Sequence, residues 1–276
     1  MKTSREIANY HRVDELGGLE VLSARYEQQT FSRHTHAGYT LGVIDQGAQR
    51  FLRNGANHIA PQDSIILVNH DEVHDGHSAS EGGWSYKAIY PLPEQLQLIR
   101  SEAGLSDTGS LYFREPVVHD PELAGLLRQA LHSLQHSANR LERETLLYGA
   151  LLKLMQRHGK ERRALEEPAA ARNRIELVRN FLHDQPAADI SLQELANLAG
   201  INSCHLVRQF QRYYGLPPHA YQIQLRVRLA QRLIRSGHRL MDAALDAGFT
   251  DQSHLNRHFK KTLGVTPGQY ARQQSH

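Results

Sequence analysis

Cysteine is nearly missing from this chain: its 276 residues hold one, Cys204. A single thiol cannot form an internal disulfide, so nothing ties the protein to an oxidising compartment. Long apolar runs are missing as well. No stretch approaches the ~20 apolar residues that span a bilayer, and the opening MKTSREIANYHRVDELGG lacks the apolar heart of a signal sequence. These absences lead us to expect a soluble, cytoplasmic protein without membrane contact. A large charge of one sign is also missing, the net value being only +3.

That small charge is unevenly placed. From Arg172 onward there are 14 Lys+Arg against 7 Asp+Glu, whereas residues 1–171 hold 18 against 22. A basic C-terminal third on a slightly acidic body points to a polyanion partner for that third only. Charge alone would equally fit a basic pole with no role.

The first part of the chain reads as β-rich. LEVLSARYE, YTLGVID, AQRFLR, DSIILV and WSYKAIY are short apolar stretches separated by Gly, Asn, Pro and Asp turns. Several short strands without intervening helices predict a sandwich or barrel. From Pro93 the periodicity becomes helical. PEQLQLIRSEAG predicts one short helix, and PELAGLLRQALHSL with RLERETLLYGALLKLMQRH predicts two longer ones carrying continuous leucine stripes. That pair either packs on the β-domain or also forms a dimer seam. GKERRALEEPAAAR has no apolar helical face and reads as an interdomain linker. The expected division is a β-rich effector domain over 1–118, a helical pair over 119–158 with a possible role in dimerisation, a linker over 159–172 and an all-helical domain over 173–276.

An internal repeat carries the functional reading. SLQELANLAGINSCHLVRQFQRYYGLPPHAY matches RLMDAALDAGFTDQSHLNRHFKKTLGVTPGQY with one inserted residue. Each copy is a helix, a short turn at Gly-apolar and a second helix, the form of a helix-turn-helix. At ~100° per residue, Leu206 and Phe210 set the buried direction of the first copy's second helix. Arg208 then points the other way, flanked by Cys204, Gln211 and Arg212. In the second copy Leu255 and Phe259 point inward and Arg257 outward, flanked by Ser253, Asn256, Lys260 and Lys261. Arg, Asn, Gln and Ser hydrogen-bond to base edges, and Lys suits phosphates. Such residues also serve solubility, but recurrence of the arginine at one site of a repeated motif favours DNA. Between the copies, LPPHAYQIQLRVRLAQRLIRSG predicts a helix of about 18 residues, a rod of roughly 27 Å. Adjacent major-groove segments on one face of a duplex repeat every ~34 Å, so one chain could present both helices to successive grooves.

Residues 173–272 closely resemble the DNA-binding domain of the AraC/XylS family of bacterial transcription regulators. SLQELANLAG, SCHLVRQFQRYYGLPPHAY, RVRLAQRLI and AGFTDQSHLNRHFKKTLGVTPGQY carry the resemblance. It implies two helix-turn-helix units joined by a rigid helix, binding of double-stranded DNA, and activation of transcription through RNA polymerase. The family's base contacts fall on positions matching Cys204, Val207 and Arg208, and Gln252, Ser253, Asn256 and Arg257. Arg239 departs from the pattern, standing where a Ser or Thr cap is common, and Ala243 stands where a larger aliphatic is common.

HTHAGYTLGVIDQG and GANHIAPQDSIILVNHDEVHDG resemble the two motifs of a cupin barrel, the fold of that family's usual effector domain. His34, His36 and Gly47 match, but the Glu place falls on Thr40; His74 takes the remaining ligand position. The three histidines either converge on Zn²⁺ or a similar ion, or bind one another or a small-molecule effector in a metal-free pocket. With the carboxylate missing, no cofactor is required and no metal is expected. Tyr39, Trp84, Tyr86 and Tyr90 join the histidines as candidate pocket residues, with aromatic core as the plainer reading for each. His70 and His77 read as surface loop residues.

The fold class expected is therefore α+β with two domains: a cupin-like β-barrel with appended helices, then an all-α domain of two helix-turn-helix units. The function expected is an effector-responsive, sequence-specific transcription regulator and not an enzyme. A cupin metal enzyme fused to DNA-binding helices, or a constitutive DNA binder with an inert barrel, would be the alternatives.

Overall fold

The computed structural model describes residues 6–105, 109–161 and 169–274. Met1–Thr30 with Thr35–Arg163 make one compact unit, and Phe31–His34 with Ala164–His276 make a second. The segment Phe31–His34 is the short strand β3, and His74–Ser78 of the first unit is β7.

The sheet of the first unit runs β1 (Ile7–Val13), β2 (Leu19–Tyr26), β8 (Trp84–Ile89), β4 (Thr40–Arg53), β6 (Ile65–Val68) and β10 (Val117–Val118). Strand β5 (Ala56–Pro61) and β7 pair with the far end of β4. YTLGVID and AQRFLR, which read as two strands, are thus one strand of 14 residues. Its first half pairs with β8 and β6 and its second with β5 and β7. The register shifts between Ile44 and Gln46, and Gly47 follows at φ +71°. A bulge and a left-handed glycine bend a strand without ending it, which explains why the turn-like Gln-Gly misleads. A Cβ on Gly47 would lie 2.1 Å from Gly83 O, so no other residue fits there.

Period-two alternation gives this sheet two different faces. Val21, Leu41, Val43, Ile65, Leu67 and Ile89 pack with helices α1 (Pro93–Glu102), α2 (Pro121–His136) and α3 (Arg140–His158). Leu123, Ala124, Leu127, Ala130, Leu131 and Leu134 of α2 and Leu147, Ala150, Leu151 and Leu154 of α3 complete that core. The helical pair therefore spends its stripes on the sheet. Strand β9 (Leu111–Phe113) pairs with β11 (Gly159–Glu161), so the first three residues of the expected linker are strand. Residues 162–168 of that linker lie outside the described ones, and helix begins again at Ala169.

One polar knot sits inside this unit. Arg53, fully buried, donates to Glu72 Oε2 at 2.6 Å and to Leu67 O at 2.9 Å. Asn69 donates to Glu72 Oε2 and Phe113 O and accepts from Phe113 N. A buried guanidinium is tolerable only when so completely paired.

The second unit is helical: α4 (Ala169–Asp184), α5 (Leu192–Ala199), α6 (Ser203–Tyr214), α7 (Pro218–Arg235), α8 (Leu240–Asp246), α9 (Gln252–Leu263) and α10 (Pro267–Gln274). Among the described residues no helix is long and apolar enough to cross a membrane.

Candidate nucleic-acid interface and ligand-binding face

The two copies of the repeat are built from the same local signals. Ser191 caps α5 by accepting from Glu194 N, while the Glu194 carboxylate accepts from Ser191 N at 2.8 Å. Those bonds hold the Glu194 carboxyl below its ordinary value. Gly200 ends α5 at φ +64°, Asn202 accepts from His205 N to open α6, and Gly215 closes it at φ +73°. In the second copy Gly248 turns at φ +80°, Asp251 accepts from His254 N at 2.7 Å to open α9, and Gly264 closes it. The departure at Arg239 has its physical counterpart, since the side chain of this N-cap makes no cap hydrogen bond. Ala243 is fully buried despite its small size.

Burial separates the faces as the helical period requires. Leu206, Phe210, Leu255 and Phe259 are completely buried. Cys204, Arg208, Gln211 and Arg212 are exposed on α6, with Val207 half-buried. Ser253, Arg257, Lys260 and Lys261 are exposed on α9, with Gln252 and Asn256 half-buried. Neither helix carries a carboxylate, so each offers a polyanion a purely basic and neutral face.

What unites the copies is α7. Its 18 residues match the expected rod, yet more of its circumference is buried than one stripe: Tyr221, Gln222, Ile223, Gln224, Leu225, Val227, Ala230 and Ile234 are all buried. Arg226 donates to Pro186 O at 3.0 Å and Ala188 O at 2.9 Å, ahead of α5, and to Gly248 O at 2.6 Å, after α8. Gln222 donates to the same Pro186 and Ala188 carbonyls. These two residues were not among the sequence candidates. Their partners are backbone atoms distant in sequence, and no motif marks them. Burial lowers the Arg226 pKa somewhat, which leaves it charged. On α9, burial above all, then the nearby charges of His254, Lys261, Arg257 and His219, holds His258 below its ordinary value.

In the first unit, the sheet face turned away from the helices gathers aromatic and imidazole rings. Trp84 lies 5.3 Å and Tyr86 6.4 Å from Tyr26, ring centre to ring centre. Tyr86 and Tyr90 hydrogen-bond through their side chains, and burial pushes the Tyr86 phenol up to about 12. Tyr90 stands 5.0 Å from His36 and 6.5 Å from Tyr10, and His36 stands 5.1 Å from His74. His34, His36 and His74 place ring nitrogens within 4.8 Å of one another, the one group of potential metal ligands of this kind among the described residues. Trp84 Nε1, Thr40 Oγ1 and Gln49 Oε1 are buried without a hydrogen-bond partner in the protein. Unsatisfied buried polar atoms are uncommon in native folds.

Tyr39 does not join this array. It belongs to the helix-side core, donates to Leu111 O at 2.7 Å and packs edge-on against Phe113. Its place in sequence beside Thr40 puts it on the opposite face of the sheet. Tyr10 and Tyr26, which the sequence did not single out, take its place beside Tyr90, which it did. For Tyr90 the alternation of WSYKAIY was the available signal. His77 lies in strand β7, not in a loop, and His70 is half-buried against the Tyr39 ring.

Comparison with known proteins accords with this geometry. Residues 16–151 match the family model of the AraC-like ligand binding domain, and residues 195–273 match a helix-turn-helix domain model. The chain is 29% identical over 228 residues to the uncharacterized HTH-type transcriptional regulator YbfI of Bacillus subtilis, covering 82% of each. It is 24% identical over 253 residues to the HTH-type transcriptional activator RhaR of Escherichia coli, covering 89% of each. Among solved structures ToxT from Vibrio cholerae has the same fold, with a TM-score of 0.60 at 13% identity over 93% of this chain and 98% of that one.

A β-rich ligand-binding domain followed by paired helix-turn-helix units defines a DNA-binding transcription regulator, not an enzyme. This chain belongs to the AraC family of such regulators.

Proposed function

We propose that the protein is an effector-responsive activator that reads two adjacent major-groove segments with α6 and α9. The observation that carries this reading is the pair of capped helices with carboxylate-free outer faces, in two units whose backbone Arg226 of α7 bonds ahead of α5 and after α8. Arg208 and Arg257 would hydrogen-bond to base edges with Cys204, Val207, Gln252, Ser253 and Asn256 beside them. Gln211, Arg212, Lys260 and Lys261 would meet bases or phosphates at the margins. A small molecule would enter the aromatic and imidazole face of the first unit, with Trp84 Nε1 as a donor awaiting an acceptor. Because a ligand shifts only states it binds unequally, the effector must change domain contacts or dimer geometry. Leu141 and Tyr148 of α3, 71% and 37% exposed and seven residues apart on one helix face, suit a homodimer seam within the 119–158 pair. Activation through RNA polymerase in the cytoplasm follows from the family habit and from the activator name of RhaR.

Recovery and sequencing of genomic fragments bound by the full chain tests the reading. We expect an asymmetric site with two determinants about one helical turn, ~10–10.5 base pairs, apart. Fragments without a common sequence would reject it.

A further inference from the structure

We infer that a groove between β8, α2 and the start of α3 is a second ligand site, suited to a small organic anion that also carries hydroxyl groups. It belongs wholly to the first unit and lies on the helix side of the sheet, opposite the aromatic and imidazole face. Its volume is about 460 Å³, within the ~300–1,000 Å³ common for small-molecule pockets.

The groove begins where the apolar layer under α2 gives out. Val21 and Ile89 are register partners within the core, and two residues along the same sheet face Ser23 stands opposite Lys87. Ser23 Oγ donates to Gln135 Oε1 of α2 at 3.0 Å, so polar contacts replace the leucines at this level. On α2, Arg128, His132 and His136 follow at intervals of four and form one ridge along the groove.

The two cations are held in place beforehand. Arg128 donates through Nε to Asp45 Oδ1 at 3.0 Å, and through Nη2 to Ile44 O at 3.0 Å and Asp63 Oδ1 at 2.5 Å. Lys87 Nζ lies 3.5 Å from Asp45 Oδ2. Neither aspartate lines the groove, so the acids hold the cations from behind. Arg128 Nη1 has no hydrogen-bond partner among the described residues, and Lys87 has three ammonium hydrogens for one carboxylate. The one carboxylate that does line the groove, Glu142, is occupied: it accepts from Ser133 Oγ at 3.1 Å and from Ser137 Oγ at 2.9 Å. Spare hydrogens on fixed cations favour an anionic oxygen, and fixing them in advance lowers the ordering cost of binding.

The imidazoles add the need for hydroxyls. The His132 and His136 rings lie 4.3 Å apart, and His136 Nδ1 lies 2.9 Å from His132 O. A carbonyl oxygen only accepts, so Nδ1 carries the hydrogen and Nε2 of the neutral ring is an acceptor. An anion cannot donate to that nitrogen, whereas a hydroxyl can. The site shares no residue with the effector face, so its failure would leave that reading intact, and its test uses no DNA.

Calorimetric titration of the full chain with gluconate and with glycerol 3-phosphate tests the site, one arm presenting carboxylate and the other phosphate. We expect at least one of them to bind at one equivalent per chain with a Kd of ~1 mM or tighter, and the tighter identifies the anionic group. Glucitol has the hydroxyls without the charge, and acetate the charge without the hydroxyls; each should bind at least ~5-fold more weakly. Lys87→Met and the double change His132→Asn/His136→Asn should each weaken binding by ~5-fold or more. Lys153→Gln, on α3 beside Glu122, removes a cation outside the groove and should leave binding unchanged. Amide exchange in the wild type should slow across 128–142 on saturation, a readout that depends on no variant. Saturable binding of neither anion, glucitol or acetate binding as tightly as the anion, unchanged affinity in both groove variants, or protection confined to the aromatic face would overturn the inference.

Discussion

Replacing Arg226 with Met removes a guanidinium that joins both helix-turn-helix units to α7, with little change in side-chain length. Three hydrogen bonds disappear, at 3.0 Å to Pro186 O, 2.9 Å to Ala188 O and 2.6 Å to Gly248 O. A hydrogen bond from a charged donor contributes about 1.5–3 kcal/mol net. The three losses are unequal, however. Gln222 still donates to Pro186 O and Ala188 O, so the Gly248 carbonyl after α8 is the atom most exposed to the change. We therefore expect a total cost of about 2–4 kcal/mol, dominated by one bond. Gln222→Ala in the same background should cost more than the sum of the single changes, since the shared carbonyls then lose both donors. Amide hydrogen exchange suits the measurement, because a chain with two compact units need not unfold in one step. Exchange should quicken around 186–189 and 244–250 in the Met variant, and affinity for specific DNA should fall although Arg226 lies on neither outer face. Unchanged exchange there, with a stability loss under about 0.5 kcal/mol, would refute the tie.

Other expected outcomes come from the same unit. Gly248→Ala should cost at least twice as much as Gly200→Ala in urea unfolding. Both sit at positive φ, worth ~1–2 kcal/mol for an L-residue, but a Cβ at 248 would also lie 2.9 Å from the Ala187 backbone, while that at 200 meets open space. Arg239→Ser should raise the unfolding midpoint by supplying the missing cap of α8, a gain of ~1 kcal/mol. His258 is held below its ordinary 6.5 chiefly by burial, so the unfolded chain takes up its proton first as pH falls. The contribution of this site to stability is complete above 6.5 and declines as pH falls from there through the folded value; His258→Gln should flatten that part of a stability–pH curve.

Much of the second unit was legible because its determinants are local. Ser191 with Glu194, Asn202, Asp251 and the closing glycines are read a few residues at a time, and the repeat doubles each signal. The outward directions of Arg208 and Arg257 follow from helical period alone. What escaped is non-local. Arg226 and Gln222 act on carbonyls 34 to 40 positions earlier and, for Arg226, 22 later, and nothing in RVRLAQRLI marks one arginine as inward. The buried pair of Arg53 and Glu72 has the same character. In the first unit, residue composition marked strands but not their continuity, so the bulge near Gln46 made one strand look like two. Sheet parity then decided the aromatic residues: Tyr39 fell on the helix side, and Tyr10, Tyr26 and Tyr90 on the face with Trp84 and the histidines.

The central claim is that α6 and α9 each read their own major-groove segment. Binding of full-length wild type, Arg208→Ala and Arg257→Ala to every single-base variant of a recovered site tests it most directly. Each arginine variant should lose discrimination, by ~1–3 kcal/mol, at one base pair only, and the two affected positions should lie about one helical turn apart. Equal weakening on specific and random DNA, or both variants relaxing the same position, would contradict the account.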